Sequence, residues 1–277
     1  MIYLKKKEEI AVIRAGGRRL ALILQALANE VKPGIRTADL EALALRLIEA
    51  AGGASAFKDY PMGDGLFFPS ALCVSINNEV VHGSSLPDRI INNGDIVDLD
   101  IGMEWPIDPQ EREKYNFPIN PHSKFGGYFT DTCLTVPAGK ISKEARKLLN
   151  VSKLSLDEAI KAAGPGKRLN DIAKAVTKVV AKHGYGVVRD LVGHGVGYFA
   201  HEAPDVFNFE IRDNSAENIL LKPGMVIAIE PMINAGDWRI KIGANGYTVI
   251  TADNSLSAHF EHTVAITEEG VEIMTAI

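Results

Sequence analysis

The chain has 277 residues, 46% hydrophobic and 23% charged, enough to bury one large core or two closely packed halves. Its net charge of -5 argues against a surface built for nucleic acid. The two cysteines, Cys73 and Cys133, exclude a disulfide scaffold and favour a reducing compartment. No apolar run reaches the length of a membrane span. The opening MIYLKKKEE lacks the apolar core of a signal peptide. The expected location is the cytoplasm.

In chain order, apolar residues recur at Ile10, Ile13, Leu20, Leu24 and Leu27, which predicts a helix over 6–30. Lys32-Pro33-Gly34 breaks it. A second helix is predicted over 37–51, stopped by Gly52-Gly53. A Gly/Pro-rich stretch (61–69) precedes a strand-like run over 71–82, and another strand covers 96–101 after the turn Asn92-Asn93-Gly94-Asp95. The pattern then restarts. Helices are predicted over 143–163 and 170–182, broken by Gly164-Pro165-Gly166 and Gly184.

The restart is in register. PGIRTADLEALALRLIEAAG (33–52) lies over PGKRLNDIAKAVTKVVAKHG (165–184) without a gap, and NGDIVDLDI (93–101) lies over PGMVIAIEP (223–231), which sets Asp100 on Glu230. The strand around Asp131 echoes the one around Glu261. These matches predict a single α+β domain over 1–277, built from pseudo-two-fold halves at about 1–140 and 141–277.

The acids on these strands are the candidate chemistry. In Ile96-Val97-Asp98-Leu99-Asp100-Ile101, alternation sends Val97, Leu99 and Ile101 to one face and both aspartates to the other. Carboxylates beside a core sheet are costly without a positive partner, and a metal is a common answer. The rival reading is a half-exposed strand with solvated acids. Val226-Ile227-Ala228-Ile229-Glu230 is apolar up to one terminal carboxylate. In Phe260-Glu261-His262 the adjacent Glu261 and His262 must face opposite ways, and Glu261, which matches Asp131, is the ligand candidate.

GHGVGYFAHE (193–202) is the most distinctive stretch. A straight strand sends His194 and His201 to opposite faces, while a turn at the glycines brings them to one site. The alternative is a glycine-rich loop with incidental histidines. His82 is read as either a site residue or a turn residue. His122, His183 and His259 are read as surface residues, and His262 as structural.

Together CVSINNEVVHG (73–83), GDIVDLDIG (94–102), TDT (130–132), GHGVGYFAHEAP (193–204), GMVIAIEPMIN (224–234) and SAHFEHTVAIT (257–267) resemble the type I methionine aminopeptidases. The resemblance runs over nearly the whole chain. It implies the pita-bread fold, a curved antiparallel sheet with helices outside and the site in its concavity. It implies that Asp100, Asp131, His194, Glu230 and Glu261 bind two divalent metals. His82 and His201 line the substrate site, and Cys73, Phe68 and Tyr247 belong to the methionine pocket. The oxygen-rich ligand set suits Mn, Fe(II) or Co better than Zn. Two such ions about 3.5–4 Å apart lower the pKa of a shared water, with Glu230 as the proton carrier and His201 supporting the oxyanion. The implied substrates are nascent polypeptide N-termini with a small second residue. The implied protein is a monomer with no membrane or specific nucleic-acid partner, and a ribosome contact is left open.

Three features depart from that pattern. Asp100 and Asp131 are separated by 30 residues where relatives have a short hairpin, so an insertion is expected at about 103–127. It is read as a cap on the cleft, a partner contact or a tolerated loop. Ala200, with Phe199 one place earlier, stands where relatives often have Phe before the second histidine. Tyr247 replaces a common Trp. Two rival functions remain: an Xaa-Pro aminopeptidase or prolidase of the same fold, and a silent binding module. Retention of all five ligands weighs against the module.

Overall fold

A computed structural model of the chain describes residues 1–63 and 65–277. The helices are α1 (Lys7–Glu30), α2 (Thr37–Ala50), α3 (Pro109–Tyr115), α4 (Lys143–Ala162) and α5 (Leu169–Ala181). Four of them, all but α3, match the predicted segments to within a residue or two. α1 presents Ile10, Ile13, Leu20, Leu24 and Leu27 to the core, at the spacing of one helical face. Its first turn is capped by Glu9, which accepts a 2.7 Å hydrogen bond from the Lys6 amide. α2 and α5 each begin one residue after an arginine, and Arg36 and Arg168 make isolated bridges to Ile90 and Leu220.

These helices cover one face of an eleven-stranded sheet, so the fold is α+β. Its centre is the pairing of Ile96–Trp105 with Tyr128–Pro137, in register from Ile96 opposite Pro137 to Trp105 opposite Tyr128. Ser257–Thr267 pairs antiparallel with Tyr128–Pro137 and with Val226–Ile229. Val226–Ile229 in turn meets Gly193–Gly195. Val97, Leu99 and Ile101 pack against α1 and α2 in one core cluster. Ile227, Ile229, Val264 and Ile266 pack against α4 and α5 in another. The opposite sheet face carries the acids.

Two elements differ from the sequence expectation. Residues 71–82 form two strands rather than one. Cys73–Ile76 pairs with Ile96–Trp105, while Glu79–Val81 joins a separate sheet beside Val249–Thr251. Asn77 divides them. It takes a left-handed conformation with φ 58°, its amide donates to Asp95 Oδ1 at 2.8 Å and its Oδ1 accepts from the Ile96 N–H at 3.1 Å. Asparagine tolerates that conformation because its side chain bonds locally. In the second case, Met103–Trp105 continue the strand, so the excursion between the paired strands covers 106–127 and contains α3.

Gly17 sets the distance between α1 and the chain's last residues. A Cβ there would lie 2.5 Å from the Met274 carbonyl oxygen, whereas one at Gly16 would meet Trp105 Cβ at 3.4 Å. Gly17→Ala is therefore expected to cost about 1–3 kcal/mol through overpacking. Gly16→Ala is expected to be neutral or to gain up to about 1 kcal/mol of helix propensity. Urea unfolding of the two variants checks this. Equal midpoints would show that the backbones are not in close contact at Gly17.

Candidate metal centre

The site is built as rows across the sheet. Residues opposite each other in antiparallel strands share a face. Cys73 is opposite Asp100, Asp100 is opposite Cys133, and Cys133 is opposite Glu261. One row therefore crosses four strands and carries two carboxylates. Asp131 lies two places along its strand from Cys133, and so on the same face. The next row holds Ser75 opposite Asp98, Asp98 opposite Thr135, and His259 opposite Met232.

Glu230 enters at a break. Val226–Ile229 ends one residue before it, and Pro231 has no N–H with which to continue the ladder. Pairing resumes at Met232, opposite His259, in the register that set Ile229 opposite His262. Glu230 thus stands level with Glu261.

His194 supplies the clearest electrostatic signal. Its Nδ1 lies 2.9 Å from the Gly195 carbonyl. A carbonyl only accepts, so Nδ1 carries the proton. Burial pushes the ring's pKa down to about 3, with His201 adding to the effect, so the imidazole is neutral. Its Nε2 then presents a lone pair, and that atom sits 3.4 Å from Glu230 Oε1 and 3.9 Å from Asp131 Oδ2. A lone pair facing two carboxylates calls for a cation between them.

The carboxylates carry the same signal. Asp100, Asp131 and Glu261 are 8%, 5% and 2% exposed, and Asp100 Oδ1, Asp131 Oδ1 and Glu261 Oε1 have no hydrogen-bond partner. Burial, then the charge of Asp131, holds the Asp100 carboxyl well above its usual range. Burial, then Asp131 and Glu230, does the same to Glu261. Burial, then Glu230, pushes Asp131 up to about 7. Buried acids at this density are stable together only when protonated or neutralised by cations. The ligand atoms of Asp100, Asp131 and Glu261 lie within 4.8 Å of one another, as do those of His194, Glu230 and Glu261. Glu261 is common to both clusters, and these residues fit a divalent metal centre.

His201 stands beside His194, with ring centroids 4.4 Å apart, so the glycine-rich segment does turn and bring the two rings together. Its Nδ1 is 2.9 Å from the Tyr60 hydroxyl. His82 lines the same cavity in a left-handed conformation, φ 58°. Its carbonyl accepts from Thr248 Oγ1 at 3.1 Å, and burial, with His201 and His259 nearby, pushes its pKa down to about 4.

The cavity measures about 350 Å³. Asp100, Asp131, His194, Glu230 and Glu261 line one part of it, and Phe57, Tyr60, Met62, Phe68 and Cys73 another. Phe57, Phe68 and Cys73 form a small apolar cluster of their own. Tyr247 stands outside the lining, packed edge-on against Phe68 at 5.7 Å. Phe199 is 38% exposed and turns away, 5.2 Å from the His122 ring, while Ala200 is buried.

His259 is not a surface residue. It is 1% exposed, with Nδ1 3.6 Å from Asp98 Oδ2 and Nε2 3.6 Å from Glu230 Oε2. Burial works against its charge, but Asp98 and Glu230 outweigh it and hold the imidazolium well above the usual histidine range. It stands opposite one oxygen of Glu230 and leaves the other facing His194. The sequence held the signal for this: in an extended strand, 259 and 261 share a face. Tyr60 and Met62 were not singled out, because an irregular Gly/Pro-rich stretch has no periodicity to read.

A profile of metallopeptidase family M24 matches residues 11–106 and 119–268, leaving out most of the excursion's first half. Methionine aminopeptidase 1 of Bacillus subtilis is 39% identical over 278 aligned positions, covering 100% of both chains. The crystal structure of a methionine aminopeptidase from Thermotoga maritima superposes with a TM-score of 0.86 at 34% identity, again covering 100% of both. A prolidase from Pyrococcus furiosus shares the fold at TM-score 0.69 and 23% identity, with 65% of its chain covered. The shared architecture is the pita-bread fold.

The raised carboxyls fix the sign of a pH effect. In chelator-stripped protein Asp131 has a pKa of about 7, against 3.8 for an ordinary aspartate. The folded state then holds the extra proton, so this group's contribution to stability is expected to fall as pH rises from about 4 to about 7, while His194 and His82, held neutral with pKa values of about 3 and 4, contribute in the opposite sense. A saturating divalent cation should abolish that slope by neutralising the ionised carboxylates. Urea midpoints at about pH 5 and about pH 7.5, with and without cation, measure it. A stabilisation by cation no larger at pH 7.5 than at pH 5 would show that the carboxylates do not repel.

Proposed function

Because the chain belongs to metallopeptidase family M24, we propose that it removes the N-terminal methionine from nascent polypeptides, with Asp100, Asp131, His194, Glu230 and Glu261 holding two divalent ions. The observation that carries this reading is the neutral His194 whose Nε2 faces Glu230 and Asp131, at one part of a cavity whose other walls are aromatic and sulfur-bearing. Glu261 belongs to both candidate clusters, so its carboxylate would be available to either ion. Four carboxylates balance the charge of two divalent cations, and the oxygen-rich set favours Mn, Fe(II) or Co over Zn. When bound, the ions supply Lewis acidity, which polarises a carbonyl and lowers the pKa of water.

The chain's own residues do the rest. Phe57, Phe68, Cys73, Tyr60 and Met62 receive the methionine side chain, since a thioether packs well against ring edges and other sulfur. The carboxylate part of the cavity takes the free α-amine, which makes the enzyme an exopeptidase. Glu230 accepts a proton from the attacking water and passes it to the leaving amine. His259 holds Glu230 Oε2 during that exchange. Tyr60 donates to His201 Nδ1, so His201 Nε2 bears the proton and donates to the scissile carbonyl oxygen as negative charge gathers there. His82, neutral at physiological pH, contributes a hydrogen bond to the substrate backbone. The enzyme works on small second residues, as a monomer in the cytoplasm. Among the described residues no helix is long and apolar enough to cross a membrane.

The test is release of methionine by stripped protein re-supplied with Mn, Fe(II), Co or Zn. Met-Ala-Ser is expected to be cleaved, while Met-Lys-Ser and an Xaa-Pro peptide are not. Cleavage of the Xaa-Pro peptide alone would keep the chemistry and overturn the specificity. Absence of cleavage with every metal would overturn both. Glu230→Gln is expected to keep its circular dichroism and lower kcat by about 100-fold or more. Activity within a few-fold of the parent, at equal metal content, would remove Glu230 from the proton transfer.

A further inference from the structure

The excursion at 106–127 is tied down in a way that a passive surface loop does not require. Asn120 is fully buried. Its backbone N–H donates to the Gly126 carbonyl at 2.9 Å. Its side-chain Nδ2 donates to the Gly127 carbonyl at 2.7 Å and to the Tyr198 carbonyl at 3.0 Å. Its Oδ1 accepts from the His122 N–H at 3.0 Å. Arg112, 9% exposed, donates to the carbonyls of Pro106 and Phe125 at 2.8 and 2.6 Å, closing the excursion on itself. A loop bound only to itself would need nothing beyond residue 127. This one reaches Tyr198, three residues before His201.

That target is an irregular part of the site. Residues 197–201 belong to no strand. Gly197 has φ 133°, and a Cβ there would meet Lys5 Cε at 2.7 Å, so the turn requires glycine. Its amides lean on Glu202, whose Oε2 accepts from the Tyr198 and Phe199 N–H groups at 3.1 and 3.3 Å. Glu202 in turn pairs with the buried Lys5. Among the described residues, the Tyr198 carbonyl takes its hydrogen bond from Asn120. The His122 ring packs at 5.1 Å from Tyr198, 5.2 Å from Phe199 and 5.4 Å from Tyr3.

We propose that the 106–127 excursion is a positioning element for the reaction: Asn120 and His122 hold the 197–202 turn and thereby place His201. The proposal rests on His201 acting in the site described above. On its other side His201 meets the Tyr60 hydroxyl and the His194 ring. A displacement of about 1 Å in a group that stabilises a transition state costs on the order of 100-fold in rate. Asn120 and His122 touch neither substrate nor any of the five proposed ligands.

Hydrogen exchange of the metal-free protein tests the structural half without reference to activity. Asn120→Ala and His122→Ala are each expected to speed exchange of the Tyr198 and Phe199 amides by about tenfold or more, with amides of the 257–267 strand unchanged. His122 is on the surface, so its replacement folds even where the buried Asn120→Ala does not. His122→Phe, which keeps an aromatic ring in place, is expected to restore parent behaviour. In the loaded enzyme, kcat on Met-Ala-Ser is expected to fall about tenfold in both alanine variants. KM should stay within about twofold and metal content should not change, because an interaction made in the transition state lowers kcat and kcat/KM together. Parent exchange rates at 198 and 199 in both variants would overturn the proposal. So would faster exchange with unchanged kcat, which would leave the excursion a structural brace only. Failure of the parent enzyme to cleave any peptide would overturn the functional reading instead, and the exchange result would still decide whether the turn is held.

Discussion

Four buried carboxylates on one face of a single sheet are the constraint from which the rest of the structure follows. Asp100, Asp131, Glu230 and Glu261 repel one another and have lost most of their water. His194 is neutral and offers a lone pair, and the charge of His259, which faces Glu230 and Asp98, only partly offsets the repulsion at Asp100 and Asp131. A fold that carries such a cluster must be held together elsewhere strongly enough to tolerate it without metal. The helix-covered face does this. Its core residues alternate with the acids along the same strands, so the segments that bring the charges together also bury Val97, Leu99, Ile101, Ile227 and Ile229.

The same alternation explains the precision of the site. A one-residue slip in any of these strands would move its carboxylate into the apolar layer and its isoleucine or valine into the cavity. Register is therefore fixed from both faces at once. The exception is Glu230, which sits at a ladder break made by Pro231. Its side chain faces His259, and His259 faces Asp98, two residues before Asp100, with an ion-pair attraction on each side. The inner row thus supports the outer one. In this way an acid that carries no proposed ligand role, Asp98, still acts on the site.

Most of this was legible in the sequence because it is periodic. Strand alternation separates Glu261 from His262, and the structure puts Glu261 among the acids while His262 Nδ1 lies 2.9 Å from Thr275 Oγ1. Helix periodicity and the Pro/Gly breaks gave the limits of α1, α2, α4 and α5. The same rule applied once more would have moved His259 from the surface to the site, since it is two residues from Glu261. What stayed hidden is aperiodic. Tyr60 and Met62 lie where the chain folds irregularly, and the division of 71–82 depends on one asparagine's side chain bonding to Asp95 and Ile96. Tyr247 has the composition of a pocket residue, yet it packs behind Phe68, because sequence spacing does not say which of two touching rings is nearer the cavity.

This difference between periodic and aperiodic parts is also a division of labour. The proposed acidic ligands stand on or beside strands whose register the core enforces, and there a small displacement is opposed by many hydrogen bonds at once. His82 and His201 stand on turns, at a left-handed residue and after a glycine-rich bend, where few backbone bonds constrain them. Groups that meet a changing substrate are better placed on such turns, provided something sets their resting position. Here the supports come from far away in sequence. Glu9 at the start of α1 accepts hydrogen bonds from the Tyr128 and Tyr198 hydroxyls at 3.0 and 2.8 Å, Lys5 engages Glu202, and Asn120 bonds the Tyr198 carbonyl. Two separate segments, residues 5–9 and the excursion, thus converge on one five-residue turn, and neither contributes an atom to the carboxylate cluster. On the proposed arrangement, substitutions in these segments would act on His201 while leaving the carboxylate rows in register, so that the placement of the histidine and the affinity of the site for cations would be separable properties of this fold.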